Sequence, residues 1–266
     1  MLGSHGTCCQ QGPDDWTVGG GALTDRDVRG NEAAVDRVAP IDPIPDLAGG
    51  LIVSCQASPE DPLFGPRMMA VMARAAAVGG AAAIRANGPD DIASIRAAVD
   101  LPIIGIWKVE LPGLGVRITP ELEHAQAVAA AGASIIALDA TDRARSDGLA
   151  LADVIKRVRG KTGLPVMADV STIEEGLIAE DAGADLVATT LAGYTKGLPA
   201  PAGPDLELVA ALAPRLRVPL VAEGRISTPE QAAKALALGA YAVVVGHAIT
   251  RPEWITARFV AALRER

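Results

Sequence analysis

Short apolar runs alternate along most of this chain with longer segments that are rich in alanine and leucine. The runs have the length of strands and are apolar on both faces, which is typical of a buried parallel sheet. The intervening segments have helical spacing, and the whole unit recurs roughly every 27 residues. Eight such units predict an α/β protein with the (β/α)8 TIM-barrel fold. The predicted strands are Leu51–Cys55, Ala81–Arg85, Pro102–Trp107, Ser134–Asp139, Pro165–Val170, Asp185–Thr190, Pro219–Ala222 and Tyr241–Gly246.

The residues at the predicted joints support this count. We expect a threonine followed by a proline to cap and open a helix, at Thr119 and again at Thr228. An open, doubly wound sheet is the rival architecture, but its glycine-rich turn after the first strand is missing from this sequence. Glycine ends a helix without a Cβ penalty, and it precedes predicted strands at Gly79-Gly80, Gly132, Gly183 and Gly239.

The first forty residues do not share this rhythm. They are rich in Gly, Asp, Gln and Arg, include the run Gly19-Gly20-Gly21, and show no sustained apolar period. Such a composition predicts a flexible or loosely docked N-terminal extension over residues 1–40. Residues 41–266 are then expected to form the (β/α)8 catalytic domain.

Composition narrows the class of protein. Of 266 residues half are apolar, but only two are Phe and two are Tyr, so the core must be built from small and aliphatic side chains. The net charge of −8 argues against a nucleic-acid partner, which usually needs a basic surface. No apolar run is long enough to cross a membrane, no signal peptide is visible, and three cysteines do not make a disulfide framework. The expectation is a cytoplasmic protein.

Polar residues follow the predicted strands. In a TIM barrel the active site is built at the carboxyl ends of the strands, so these residues should converge on one mouth. Side chains of the types used in catalysis occur there too often for a purely structural barrel, which predicts an enzyme. They are Gln56, Arg85 with Asn87, Lys108, Asp139, Asp169, Thr189 with Thr190, Glu223 with Arg225, and His247.

The last two predicted strands carry the pattern of a phosphate site. Glycines at Gly224 and Gly246 would let backbone N–H groups approach an anion. Arg225 and His247 follow these glycines directly, and Arg251 could hold a phosphate through two parallel hydrogen bonds. The histidines are far apart in the chain and no CxxC or HxxxH spacing occurs, so no metal site is predicted.

A set of short motifs, in constant order after residue 50, resembles the N-acylglucosamine-6-phosphate 2-epimerase family, also called the N-acetylmannosamine-6-phosphate 2-epimerases. These motifs differ from those of many relatives at Trp107, at Val109 and Glu110, which follow Lys108, and at His247. They are Leu51–Ala57, Ile84–Asn87, Ile104–Lys108, Ile118–Pro120, Leu138–Thr141, Ala168–Thr172, Ala188–Leu191, Gly193–Thr195, Ala222–Arg225 and Val245–Pro252.

This resemblance implies a cofactor-independent isomerase that acts on an amino-sugar phosphate, with a homodimer as a possible assembly. It implies Lys108 and Glu223 as the catalytic residues. The substrate-binding positions that it implies are Gln56, Arg85, Asp169, Thr190 and Tyr194. The implied phosphate-binding positions are Gly224, Arg225, Gly246, His247 and Arg251.

The implied reaction suits these residues. In an open-chain sugar the C2 proton is acidic because it lies beside the C1 aldehyde, and epimerisation removes it on one face and returns one on the other. We expect Lys108 and Glu223 to serve one face each, with no metal or organic cofactor. Another phosphosugar isomerase, a Schiff-base lyase or a non-catalytic sugar-phosphate sensor would be the alternatives on the same barrel.

Other polar residues have less specific interpretations. Asp139 is predicted either to face the active site or to cap the next helix. His124 is expected on a solvated helix face, and His247 either touches phosphate or fills the mouth. The mixed charges of residues 142–147 predict an exposed loop.

Overall fold

The computed structural model of the chain describes residues 42–195 and 202–264. The predicted N-terminal extension, residues 1–40, lies outside the described residues. The barrel itself falls within them.

The described residues form ten strands. Eight close into a parallel barrel in the order β1-β10-β9-β8-β7-β6-β3-β2, and β4 and β5 pair separately as an antiparallel hairpin. The predicted (β/α)8 barrel is therefore confirmed, with all eight predicted strands present. The strands are β1 Leu51–Cys55, β2 Ala83–Asn87, β3 Ile103–Ile106, β4 Lys108–Leu111, β5 Gly115–Ile118, β6 Ile135–Asp139, β7 Val166–Asp169, β8 Leu186–Ala188, β9 Leu220–Ala222 and β10 Ala242–Val245.

Helices surround the barrel, and a short 3-10 helix, Pro45–Leu47, precedes β1. Along each barrel strand, alternate residues point inward and outward, and both sets are buried. Ile52 and Ile104 belong to the cluster that fills the barrel, whereas Val53 and Ile103 pack beneath the helices. The helices are α1 Pro66–Val78, α2 Pro89–Arg96, α3 Leu122–Ala130, α4 Leu151–Thr162, α5 Ile173–Asp181, α6 Leu206–Leu212, α7 Pro229–Ala237, α8 His247–Thr250 and α9 Pro252–Arg264.

The predicted helix start at Thr228 is confirmed, and the one at Thr119 is wrong. The Thr228 side chain caps α7 by accepting a hydrogen bond from the Gln231 N–H. Thr119 instead lies two residues before the N-cap of α3 and has a positive φ of 46°. Its backbone N–H donates to the carbonyl of Trp107 at 2.7 Å and its hydroxyl accepts from the Trp107 N–H, so hairpin closure occupies it.

The β4–β5 hairpin was not predicted, and it determines where Lys108 lies. Lys108 is the first residue of β4 and pairs directly with Ile118 at the end of β5. Gly113 and Gly115 both have positive φ in the connecting turn, a conformation that side-chain-bearing residues seldom adopt. The hairpin therefore rises from the mouth of the barrel between β3 and α3.

No helix among residues 42–195 and 202–264 is long and apolar enough to cross a membrane.

Two glycines in different surroundings test the packing of the barrel. A Cβ added at Gly105, in β3, would lie 2.3 Å from Val128 Cγ1 and 2.7 Å from Ala133 Cβ. A Cβ added at Gly160, in α4, would meet nothing within 4 Å. Gly105→Ala should therefore lower the free energy of unfolding by about 1–3 kcal/mol through overpacking. Gly160→Ala should raise it by about 0.5–1 kcal/mol through helix propensity.

Urea denaturation of the two variants and the unmutated chain measures both effects. Equal midpoints for the two variants would contradict the close packing of β3 against α3.

Candidate active site

A cavity of about 690 Å³ opens at the carboxyl ends of the barrel strands. It brings together most of the residues that the sequence singled out, although they come from five separate parts of the chain. The predicted site residues that line it are Gln56, Lys108, Thr190, Tyr194, Glu223, Gly224, Arg225, Gly246, His247 and Arg251. Arg85 and Asp169 do not line the cavity and lie beneath it.

Arg85 and Asp169 form a fully buried ion pair under the floor of the cavity. Arg85 is the third residue of β2 and Asp169 the last residue of β7, and the two side chains meet inside the barrel. The guanidinium donates from Nη1 to Asp169 Oδ1 at 3.2 Å and from Nη2 to Oδ2 at 2.5 Å. Burial alone would lower the pKa of Arg85, but the carboxylates of Asp169 and Glu223 outweigh it and raise that pKa. Arg85 is therefore a permanent buried cation.

Glu223, immediately after β9, connects this pair to the cavity. Its Oε2 lies 3.1 Å from Arg85 Nη1 and 3.1 Å from the hydroxyl of Thr190. Burial raises the pKa of the Glu223 carboxyl and the Asp169 carboxylate raises it further, against the opposing effect of Arg85. Proton-binding at Glu223 is thus favoured relative to a solvated glutamate.

Thr190 shows how a proton could be shared between the two carboxylates. Its Oγ1 lies 2.6 Å from Asp169 Oδ1 as well as 3.1 Å from Glu223 Oε2. A hydroxyl has one proton to donate, so when Thr190 donates to Asp169, a proton on Glu223 can complete the second contact. This geometry suits a glutamate that exists in both protonation states.

The backbone around Glu223 is fixed by Thr189, which follows the neighbouring strand β8. Thr189 accepts from the Glu223 N–H at 3.0 Å and donates to the Glu223 carbonyl at 2.9 Å. Gly224 follows with φ 114° and Arg225 with φ 56°. This turn directs the Glu223 side chain inward over Arg85 while the chain leaves the strand.

Lys108 reaches the cavity from the hairpin. Its backbone N–H donates to Asn87 Oδ1 at 2.8 Å, which ties the start of β4 to the end of β2. The side chain keeps exposed surface at the mouth, yet the cavity walls displace water from its ammonium group. This desolvation lowers the pKa of Lys108, and the positive charge of Arg85 lowers it further.

The predicted phosphate-binding residues gather on the β10 side of the cavity. Arg251 donates from Nη2 to Asp61 Oδ2 at 2.8 Å, so this guanidinium is already held in place by an ion pair. Partial burial lowers the pKa of His247, and the positive charges of Arg251 and Lys108 add to the effect. Gln56 donates to Ser54 at 2.8 Å, while its Oε1 is buried without a hydrogen-bond partner among the described residues.

Arg225 supports the loop after β8. It donates from Nε to the Gly203 carbonyl at 2.8 Å and from Nη1 to the Ala192 carbonyl at 2.7 Å, and it stacks 5.1 Å from the centre of the Tyr194 ring. Its Nε and Nη1 are therefore engaged by protein, whereas Nη2 is buried without a hydrogen-bond partner among the described residues.

The cavity-wall residues that sequence reasoning missed include Val116 and Ile118 of β5 and Arg143 from the loop after β6. The hairpin had not been predicted, so the first two had no assigned position. Arg143 lay in the segment that was predicted to be an exposed loop, but its side chain turns inward to Asp139. Its place four residues after a predicted strand was the available signal.

Asp139 and His124 also differ from the simplest expectations. Asp139 is buried at the end of β6, where it accepts from the N–H and hydroxyl of Thr141 and pairs with Arg143. It does not cap α4, which begins at Leu151. His124 is partly buried, with its ring 5.0 Å from that of Trp107 in an edge-to-face contact, so the prediction of a solvated face was wrong.

No group of three His, Cys, Asp or Glu side chains with the arrangement of a metal site occurs in the described part of the chain.

Comparison with known proteins gives one consistent result. A family model described as "Putative N-acetylmannosamine-6-phosphate epimerase" matches residues 69–265. A relative from Caldanaerobacter subterraneus, named as an N-acetylmannosamine-6-phosphate 2-epimerase of putative status, is 52% identical over 85% of this chain and 96% of its own length. Another of the same name, from Cutibacterium acnes, is 51% identical over 83% of this chain and 96% of its own length.

A solved structure, that of the N-acetylmannosamine-6-phosphate 2-epimerase from Clostridium perfringens, superposes with a TM-score of 0.79. It is 45% identical, and the match covers 82% of this chain and 95% of that one. Since a family model and full-length relatives of about half identity agree over most of the sequence, the chain belongs to the N-acetylmannosamine-6-phosphate 2-epimerase family.

Proposed function

We propose that this chain interconverts N-acetylmannosamine 6-phosphate and N-acetylglucosamine 6-phosphate by removing and returning the proton at C2. The observation that carries the proposal is the meeting of Lys108 and Glu223 in one cavity, over the buried Arg85–Asp169 pair. Membership of the epimerase family supplies the substrate class, an amino-sugar phosphate.

The acid–base roles follow from the two pKa shifts. Desolvation lowers the pKa of Lys108 and burial raises that of Glu223, so each group can exist in either protonation state closer to neutral pH than usual. One removes the C2 proton, the electron pair moves into the C1 carbonyl to give an enediolate, and the other delivers a proton to the opposite face. In the reverse direction the roles are exchanged.

Arg85 and Asp169 are positioning residues in this scheme. Neither has exposed surface, so they act on the substrate through Glu223 and Thr190. Arg85 also places a fixed positive charge next to the site where the enediolate develops, and such preorganised charge stabilises an anionic intermediate.

The phosphate is proposed to bind between the loops that follow β9 and β10. Gly224 and Gly246 carry no side chain there, and Arg251 lines the same part of the cavity. The Arg251–Asp61 ion pair holds the guanidinium ready without covering it completely, since Arg251 keeps about a third of its side chain exposed, 32%. Binding energy from the phosphate is remote from C2 and helps to orient the reacting carbon.

We also propose a homodimer. α9 contains no buried residue and exposes Phe259 at 69% and Leu263 at 62%. Apolar surface of this kind is typical of contact sites between proteins. Sedimentation equilibrium at micromolar concentration tests the proposal, and a monomer would contradict it.

Removing either acid–base group should abolish most of the activity. We expect Lys108→Ala and Glu223→Gln each to lower kcat by about 10²–10⁴-fold, the usual contribution of general acid–base catalysis. The assay follows N-acetylmannosamine 6-phosphate in D2O by proton NMR, where the unmutated chain should form the gluco epimer with deuterium at C2. Matched controls on the outer surface, Lys156→Ala and Glu174→Gln, should keep full activity.

Conversion without solvent deuterium at C2 would contradict the proton-transfer mechanism. Saturable binding without any conversion by the unmutated chain would contradict the proposed function itself.

The pH profile tests the role of Asp169. Its negative charge raises the pKa values of both Glu223 and Lys108, so Asp169→Asn should lower both. Both limbs of the bell-shaped dependence of kcat/KM on pH should therefore move to lower pH. A profile that loses height but keeps its position would show that Asp169 has only a structural role.

A further inference from the structure

One wall of the cavity is used neither by the acid–base pair nor by the proposed phosphate site. β6 and β10 are four strands apart in either direction around the closed barrel, so the loop after β6 faces the loop after β10 across the mouth. Arg143, from the loop after β6, lines the cavity together with Val116 and Ile118 of the hairpin. Together these three residues form the far wall of the cavity.

The hairpin register places this wall beside Lys108. Successive residues of a strand point to opposite faces, so Val116 and Ile118 share one face of β5, while Arg117 between them points to the other, toward Asp139. Lys108 pairs directly with Ile118. Side chains that are opposite each other in an antiparallel pair have Cβ atoms about 5 Å apart, so Lys108 and Ile118 are neighbours.

Arg143 has donors to spare. Its guanidinium is held by the Thr141 hydroxyl at 3.2 Å, by the carboxylate of Asp139 and by the Val116 carbonyl at 3.5 Å. A guanidinium carries five N–H groups, so two remain beyond these three contacts within the described part of the chain. Its side chain is 21% exposed, and it borders the cavity.

The chemistry at C2 decides what meets this wall. C2 of the substrate carries the proton that is transferred and the acylamino group, so the acyl group must lie within a few ångströms of Lys108. The carbon chain to the phosphate leaves C2 in the other direction, toward the loops after β9 and β10. A neutral amide with a short alkyl end needs one hydrogen-bond donor and a small apolar surface, and the far wall offers both.

Resting on the proposed function, we infer that the far wall is the acyl subsite of this enzyme, in which Arg143 donates to the acyl carbonyl and Val116 and Ile118 contact the acyl methyl group. The subsite selects an uncharged, short N-acyl substituent. Asp139 holds Arg143 in place, and Arg117 and Thr141 keep that carboxylate partnered from its other sides.

Arg143→Gln tests the hydrogen bond. We expect kcat/KM for N-acetylmannosamine 6-phosphate to fall about 10- to 100-fold, mainly through KM, because a hydrogen bond from a charged donor is lost. Inhibition by glucose 6-phosphate, which has the same phosphate but no acyl group, should stay within about twofold. Arg145→Gln is the matched control. The Arg145 side chain donates to the backbone carbonyl of Asp139 but does not line the cavity, so its loss should change neither kcat/KM nor the inhibition by glucose 6-phosphate.

Val116→Ala tests the apolar part, and it concerns an exposed residue whose loss should not disturb folding. The shorter side chain makes room for one more methylene in the substrate. The ratio of kcat/KM for N-propanoylmannosamine 6-phosphate over N-acetylmannosamine 6-phosphate should therefore rise about three- to tenfold, which is within the effect of one methylene at an apolar contact.

The outcomes separate the subsite from the function. If the unmutated chain turns over substrate but Arg143→Gln weakens the binding of glucose 6-phosphate as much as that of substrate, the acyl subsite is overturned. Arg143 would then be a general anion-binding residue. An unchanged acyl ratio in Val116→Ala would overturn it as well. Failure of the unmutated chain to turn over any N-acylmannosamine 6-phosphate would instead reject the proposed function.

Discussion

The buried guanidinium of Arg85 is the constraint around which the mouth of this barrel is organised. A cation without any exposed surface is tolerated only when carboxylates and hydrogen bonds replace its lost hydration. Asp169 and Glu223 provide the carboxylates from two other strands, and Thr190 joins them from a third. Loss of one partner would leave an uncompensated charge in the barrel, so the same contacts that shape the site also fix four barrel strands relative to one another.

The two proposed acid–base groups depend on this network in different ways. Glu223 belongs to it directly and is held by Thr189 through its backbone. Lys108 belongs to a separate two-stranded sheet, and Arg85 acts on it only through the electrostatic field of its charge. One buried charge therefore acts on both groups. It lowers the pKa of the lysine toward neutrality but opposes the rise in the pKa of the glutamate, which burial and Asp169 cause.

The barrel could be predicted from the sequence because the apolar period acts locally and recurs eight times, and glycines mark four of the helix ends. The residues around the cavity could be predicted because strand ends meet at one mouth. The burial of Arg85 and Asp169 could not be predicted, because the sequence pattern near a strand end is the same whether the polar side chain points into the barrel or out of it. The hairpin was missed because its two strands are only four residues long, and because Thr119-Pro120 has the pattern of a helix start.

The hairpin also limits which insertions and deletions this fold can accept. β4 and β5 pair with each other and with no barrel strand, so their register alone decides which side chains face the cavity. A one-residue slip in β4 would turn Lys108 outward and present Val109 in its place, because strand residues alternate between faces. The turn between Leu111 and Gly115 does not line the cavity, so changes there that keep the Lys108–Ile118 pairing leave these faces unchanged. Length variation should therefore be confined to the tip of the hairpin, with the pairing of Lys108 and Ile118 at its base held constant.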